Sequence, residues 1–230
     1  MKKALIVFGG WDGHQPDLVA KRFEKLLKNE GFEVTVSDTL DAFNSLEELL
    51  KLELIVPVWT MAEITAEQCK NVSEAVNSGV GMAGCHGGMS DAFRNDVNWQ
   101  FITGGQWVAH PGNDGIEFMT NIKCNSSVIT EGIRDFKVKS EQYYLHVDPA
   151  VEVLATTRFP IADGPHTTNG CVDVPNMWTK RWGAGRVFYS ALGHHDDIFD
   201  IEEAQTTMLR GMLWAAAGKA YAKKDSEKNQ

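Results

Sequence analysis

Six of the seven histidines fall in segments that follow apolar runs, or between such runs. His14 lies in Gly9-Gly10-Trp11-Asp12-Gly13-His14-Gln15 and His86 in Cys85-His86-Gly87-Gly88-Met89-Ser90. His110 closes Gly105-Gln106-Trp107-Val108-Ala109-His110, and His146 closes Glu141-Gln142-Tyr143-Tyr144-Leu145-His146. His194 and His195 stand in Gly193-His194-His195-Asp196-Asp197, and only His166 lies elsewhere. Imidazole titrates near neutrality and ligates metals, so this grouping is the main functional signal in the chain. Two chemistries are open to it. His86, His194 and Glu141 can transfer protons. His14, His86, His146 and His194 can supply nitrogen ligands to a divalent metal such as zinc. No His-x-His or His-Glu-x-x-His spacing occurs, so a metal site has to assemble from distant loops. The run from Gly9 to His14 matches neither the dinucleotide nor the P-loop pattern, so no nucleotide site is expected.

Aromatic side chains flank the same loops: Trp11, Trp59, Trp107, Tyr143, Tyr144 and Trp178. Sugar rings stack their C–H faces on such groups, while amides and carboxylates select hydroxyls. Trp11, Asp12, His14, Gln15, Trp59, Gln106, His110, Tyr143 and His146 are the substrate-binding candidates, with Asp91, Arg94 and Lys180 as further polar partners. Each ring has an ordinary alternative role in packing the core.

Elements that would carry these loops follow from the apolar pattern. ALIVF (4–8) is a continuous apolar run, as in a strand buried on both faces. An amphipathic helix follows, 17–29, with Val19, Phe23, Leu26 and Leu27 on one face. FEVTVS (32–37), LELIVPVW (52–59) and GVGMAGC (79–85) read as further strands. A short helix capped at Asn44 or Ser45 and a longer one capped at Thr65 and running to Asn77 lie between them. Four βα units in succession call for a parallel sheet with right-handed crossovers. Ligands of such sheets bind outside the carboxyl ends of the strands, where the histidine loops fall. In the second half, 116–123, 136–144, 151–157, 177–182 and 186–192 read as hairpins and a return strand, before a last helix at 201–217. The reading is of one α/β domain over residues 1–218, followed by a polar tail, 219–230.

A chain of 230 residues with 43% hydrophobic and 23% charged residues can bury a full core without disulfides. Its net charge of −9 disfavours nucleic acid and anionic membranes as partners. The four cysteines form no C-x-x-C pair, which suits reduced thiols in the cytoplasm. No apolar run is long enough to span a bilayer. A small molecule is the expected kind of partner, and a homo-oligomer is left open.

The segments GCHGGMSDAF, GGQWVAHPG, EQYY and GAGRVFYSALGHHDDIF resemble the ThuA-like, or trehalose-utilization, family over nearly the whole chain. The resemblance implies a flavodoxin-like core of the class I glutamine-amidotransferase-like kind. It also implies a link to trehalose, other disaccharides or keto-sugars, and places Glu141 in a shared Glu-x-Tyr pattern over the crevice. Glutamine amidotransferases set a nucleophilic Cys in G-x-C-x-G, to which Ala83-Gly84-Cys85-His86-Gly87 corresponds with Ala83 as a departure, and their His-x-Glu corresponds to His194-His195-Asp196 with Asp for Glu; the resemblance thus implies Cys85 as nucleophile, His194 as base and Asp196 as the orienting acid. Three functions follow as expectations: a His/Glu enzyme acting on carbohydrate, a non-catalytic sugar-binding or regulatory domain, and a Cys-His-Asp hydrolase. The first carries a specific geometric expectation, that His14, His86, Glu141 and His194 surround one pocket.

Overall fold

A computed structural model describes residues 1–123 and 125–220. The first half alternates strand and helix: β1 (Lys2–Gly10), α1 (Pro16–Asn29), β2 (Phe32–Ser37), α2 (Leu46–Leu49), β3 (Leu54–Thr60), α3 (Ala66–Asn77) and β4 (Gly81–Cys85). Two short helices follow, α4 (Gly87–Ser90) and α5 (Val97–Thr103). The second half is mostly strand: β5 (Gly105–Ala109), β6 (Ile116–Ile122), β7 (Phe136–Ser140), β8 (Tyr144–Val147), β9 (Glu152–Phe159), β10 (Val172–Trp182) and β11 (Gly185–Ser190). Helix α6 (Glu202–Ala216) comes last.

Local chemistry sets the boundaries. Pro16 opens α1, where a missing N–H costs nothing. Thr65 and Gln68 form a reciprocal capping box at the start of α3. Nine strands form one sheet in the order β2-β1-β3-β4-β11-β10-β9-β6-β7. The first five pair in parallel. From β11 to β7 the pairing is antiparallel. This is an α/β fold of the flavodoxin-like, glutamine-amidotransferase-like kind, with hairpins added to one side of the parallel core.

Alternation along β1 divides the core in two. Ala4 and Ile6 pack with Val19, Phe23 and Leu27 of α1 and with Met208 and Met212 of α6. Leu5 and Val7 face the opposite layer, with Val72 and Val76 of α3. Phe23 is fully buried, which contributes about 1.5–3 kcal/mol relative to exposure.

Three expectations change. The segment 136–144 is not one strand: it breaks into β7 and β8 around Glu141–Tyr143. Gln142 is buried there and donates to Thr157 Oγ1 (2.7 Å) and to the Arg158 carbonyl (2.9 Å), which takes the chain out of the ladder. The segment 105–109, read as a loop, is strand β5 and pairs antiparallel with β8 in a separate two-stranded sheet. Strand β10 starts at Val172, five residues before the expected 177. At the end of the chain, Lys219 is anchored by the carbonyls of Leu50 (2.7 Å) and Leu52 (2.6 Å). The rest of the expected tail, from 221, lies outside the described residues. Among those described, no helix is long and apolar enough to cross a membrane.

Candidate active site

The carboxyl ends of β1, β3, β4 and β11 stand side by side, and each delivers one group to the same point. After β1 the Trp11 N–H donates to the Thr60 carbonyl (3.1 Å), folding the loop back across the end of β3. A 3-10 turn from Asp12 to His14 then aims the His14 ring inward. Thr60, the last residue of β3, meets His14 Nδ1 through its hydroxyl at 2.9 Å. At the end of β4 the chain turns sharply at His86, whose φ of 49° and ψ of −142° are rare for a residue with a side chain. The backbone N–H of His86 donates to the Ser190 carbonyl (2.7 Å), locking the turn to β11. Beyond β11, Gly193 leads into His194. Glu141 enters from the break between β7 and β8.

These residues converge. One ligand atom each from His14, His86, Glu141 and His194 lies within 4.8 Å of all the others. Glu141 Oε2 is 3.1 Å from His86 Nε2, 3.2 Å from His194 Nδ1 and 3.9 Å from His14 Nε2. The four residues are between 1% and 7% exposed. Tyr143 stacks on His86 at 3.8 Å and Trp11 meets the His14 ring edge-on at 4.7 Å. His110, partly exposed, brings Nε2 to 3.7 Å from Glu141 Oε1. Asp114 lies 3.9 Å from His194 Nε2 on the solvent side.

Burial lowers His14 below its ordinary value and takes His86 down to about 3. Burial alone would raise the Glu141 carboxyl, but the imidazoles of His14, His194 and His86 gathered on it hold it far below the usual carboxylate range. At neutral pH the site therefore holds a carboxylate beside the neutral imidazoles of His14 and His86.

The cysteine triad does not form. Cys85 is buried with its side chain in the apolar layer shared with α1 and α6, and burial pushes its thiol up to about 12. Asp196 does not orient His194: both its oxygens are taken by Arg22, at 2.7 and 2.6 Å. The elbow is also offset by one residue from the Ala83–Gly87 correspondence. The strained residue is His86, not Cys85, so the working pattern is Gly84-Cys85-His86-Gly87-Gly88, in which a nucleophile elbow would place its reactive group at His86. A Cβ at Gly84 would lie 2.8 Å from Met89, and one at Gly88 would lie 3.0 Å from the Val58 backbone. Both glycines are thus required by close packing.

Other candidates separate from the centre. His146 is exposed on β8, opposite Gln106 on β5, and joins neither the metal-competent group nor the Glu141 contacts. Gln106 donates to the Trp107 carbonyl at 2.9 Å. Gln15 accepts from the Asp196 N–H (3.1 Å) and so braces the loop after β11. Asp12 is exposed beside the half-exposed Trp11. Lys180 is tied to Asp148 (2.6 Å) and to the Phe101 carbonyl. Trp178 is a core residue donating to the Thr103 carbonyl at 2.9 Å. Trp59 and Trp107 are half-buried, and each has an indole N–H without a partner. Arg94 lies 4.8 Å over the Trp107 ring while its guanidinium grips Asp91 at 2.9 and 2.8 Å. Sequence reasoning did not select Thr60 or Asp114. Thr60 was detectable as a hydroxyl closing a buried strand at the active edge, as Ser190 closes β11, whereas Asp114 carried no signal.

A family model described as ThuA, trehalose utilisation, matches residues 3–215. No curated protein matches the chain. Among solved structures, a protein from Parabacteroides merdae described as ThuA-like is 19% identical, covers 95% of this chain and 91% of its own, and superposes with a TM-score of 0.73. One from Bacteroides uniformis, described in the same way, is 18% identical over 93% of this chain and 91% of its own, with a TM-score of 0.71. A cold-adapted beta-galactosidase from Rahnella is 14% identical with a TM-score of 0.61 over 96% of this chain but 32% of its own.

Proposed function

This chain belongs to the ThuA, trehalose-utilisation, family, and on that footing we propose that it is a cytoplasmic enzyme of carbohydrate metabolism acting on a disaccharide or keto-sugar at the His14–His86–Glu141–His194 centre. The observation that carries the reading is the convergence of three imidazoles on one buried carboxylate at the carboxyl edge of the sheet. A binding module needs rings and amides in its pocket, not a carboxylate with three nitrogens within 4 Å. Trp11, half-exposed and edge-on to His14, and Trp107, beside His110, offer rings to a sugar near that centre. His110, at 3.7 Å from Glu141 and partly open to solvent, is placed to exchange protons between substrate and water.

The test is proton NMR in D2O with trehalose and with a keto-disaccharide. The wild-type protein is expected to convert one of them, or to exchange the C–H beside the ketone, and Glu141→Gln to do neither. Saturable binding of both sugars without exchange or turnover would replace the enzyme by a sugar-binding domain. No binding at all would remove the carbohydrate assignment.

A further inference from the structure

The centre has a hydrogen-bonding conflict at His86. His86 Nδ1 lies 2.8 Å from the Ala191 carbonyl oxygen. A carbonyl only accepts, so Nδ1 carries the proton, and the neutral ring turns the lone pair of Nε2 outward. That lone pair faces Glu141 Oε2 at 3.1 Å, so two acceptors confront each other inside the protein. His194 Nδ1 stands 3.2 Å from the same oxygen, yet it has no hydrogen-bond partner although its side chain is 5% exposed. His14 adds a third nitrogen at 3.9 Å, its other nitrogen being engaged by Thr60. The facing lone pairs of His86 Nε2 and Glu141 Oε2 repel unless positive charge stands between them.

We propose that His14 Nε2, His86 Nε2, His194 Nδ1 and Glu141 bind a divalent cation of the zinc class. Three imidazoles and a carboxylate are a borderline donor set suited to such an ion. With metal–ligand bonds of about 2.0–2.1 Å, tetrahedral donors stand roughly 3.3 Å apart. The closest nitrogen–oxygen separations here, 3.1 and 3.2 Å, match that edge. Each ring also has an outer partner of the kind that fixes metal-bound imidazoles. These are the Ala191 carbonyl for His86, the Thr60 hydroxyl for His14 and the Asp114 carboxylate, at 3.9 Å, for His194. The inference shares the site of the carbohydrate reading but not its substrate. An ion here would polarise a substrate oxygen, leaving His110 as the imidazole free for proton transfer.

The full-length protein is stripped with a chelator, dialysed and titrated with Co(II) alone, followed by visible absorption, and then with Zn(II) by calorimetry. One ion per chain is expected, with the intense d–d bands of a low-symmetry site, displaced by zinc. Glu141→Gln and His194→Ala should each weaken binding by at least about a hundredfold, at or beyond the upper end of what outer-partner changes cost. His146→Ala should titrate like wild type, and circular dichroism checks that each variant is folded. A wild-type protein giving neither bands nor heat at millimolar metal overturns the proposal, whatever the variants do. So does binding that survives both His86→Ala and His194→Ala. Metal binding without sugar turnover keeps the ion and removes the carbohydrate, and turnover by stripped protein does the reverse.

Discussion

Gly87 is the residue through which the geometry of the centre is most directly tested. It opens α4 beneath the His14 ring. A Cβ there would lie 2.6 Å from His14 Cε1, 2.9 Å from Nδ1 and 3.0 Å from Thr60 Cγ2. Its φ is outside the left-handed region, so the backbone accepts alanine and the whole effect of Gly87→Ala is spatial. Carbon atoms in contact rest about 3.5–4.0 Å apart, so the ring must retreat by about 1 Å. That retreat breaks the 2.9 Å contact between Nδ1 and Thr60. Overpacking of this kind costs about 1–3 kcal/mol. At about 2–4 °C per kcal/mol for a chain of this size, Tm falls by about 2–12 °C. A displacement of about 1 Å at a reacting group reduces rate by on the order of 100-fold. Thermal unfolding, Co(II) titration and sugar turnover read the three effects. The clash is isolated by adding Gly87→Ala to His14→Ala: without the ring, alanine should cost less than about 0.5 kcal/mol, a coupling of about 1–3 kcal/mol. The reasoning fails if Gly87→Ala matches wild type in Tm and cobalt affinity, or costs as much in the His14→Ala background as alone.

Three further outcomes follow. Iodoacetamide at pH 8 should label the exposed Cys171 of the native protein and spare Cys69 and Cys85, whose thiols burial pushes up to about 12; Cys85→Ala should leave turnover nearly intact, and a loss of about a thousandfold would restore a thiol mechanism. Asp196→Asn should cost about 1 kcal/mol by loosening the partly buried Arg22 pair, and should leave cobalt affinity unchanged; a fall like that of His194→Ala would show Asp196 to orient the histidine after all. Stability should fall as pH rises above about 9: burial raises Cys69 and Cys85 from 9.0 to about 12, and Tyr143 and Tyr189 well above 10.0. The native state then holds protons that the unfolded chain releases, so each such group costs about 1.4 kcal/mol per pH unit between its unfolded and folded values; urea midpoints from pH 8 to 11 check this, and a flat profile refutes it.

The parallel half was legible because each βα unit declares itself locally: an apolar run, a glycine turn, an amphipathic helix. The convergence of His14, His86 and His194 followed from connectivity together with the amidotransferase-like arrangement that the resemblance implied, since a parallel sheet brings successive carboxyl ends to one edge. The neighbours were less legible. Strands β1 and β4 flank β3 and do not touch, and it is Thr60 of β3 that fills the space between their histidines. Strand β5 was hidden because its partner, β8, lies far along the chain and no local alternation marks it. The break at Glu141 was hidden for a similar reason: it depends on Gln142 finding Thr157 and Arg158 on β9. His146 and Asp196 were misplaced because their residue types suit the chemistry while their strand pairing and ion pair hold them elsewhere. The one-residue offset of the elbow was invisible in the letters, since Gly84, Gly87 and Gly88 fit either frame.

The unusual backbone at His86 sets stability against activity. Holding a side chain at φ 49° and ψ −142° costs on the order of 1–3 kcal/mol, which glycine would largely avoid. Selection for thermal resistance alone would therefore favour loss of the imidazole at this position. A stabilised descendant would be expected to change here and to become a sounder but inert fold. Retention of histidine at the elbow in a heat-tolerant variant would mark the side chain as functionally required.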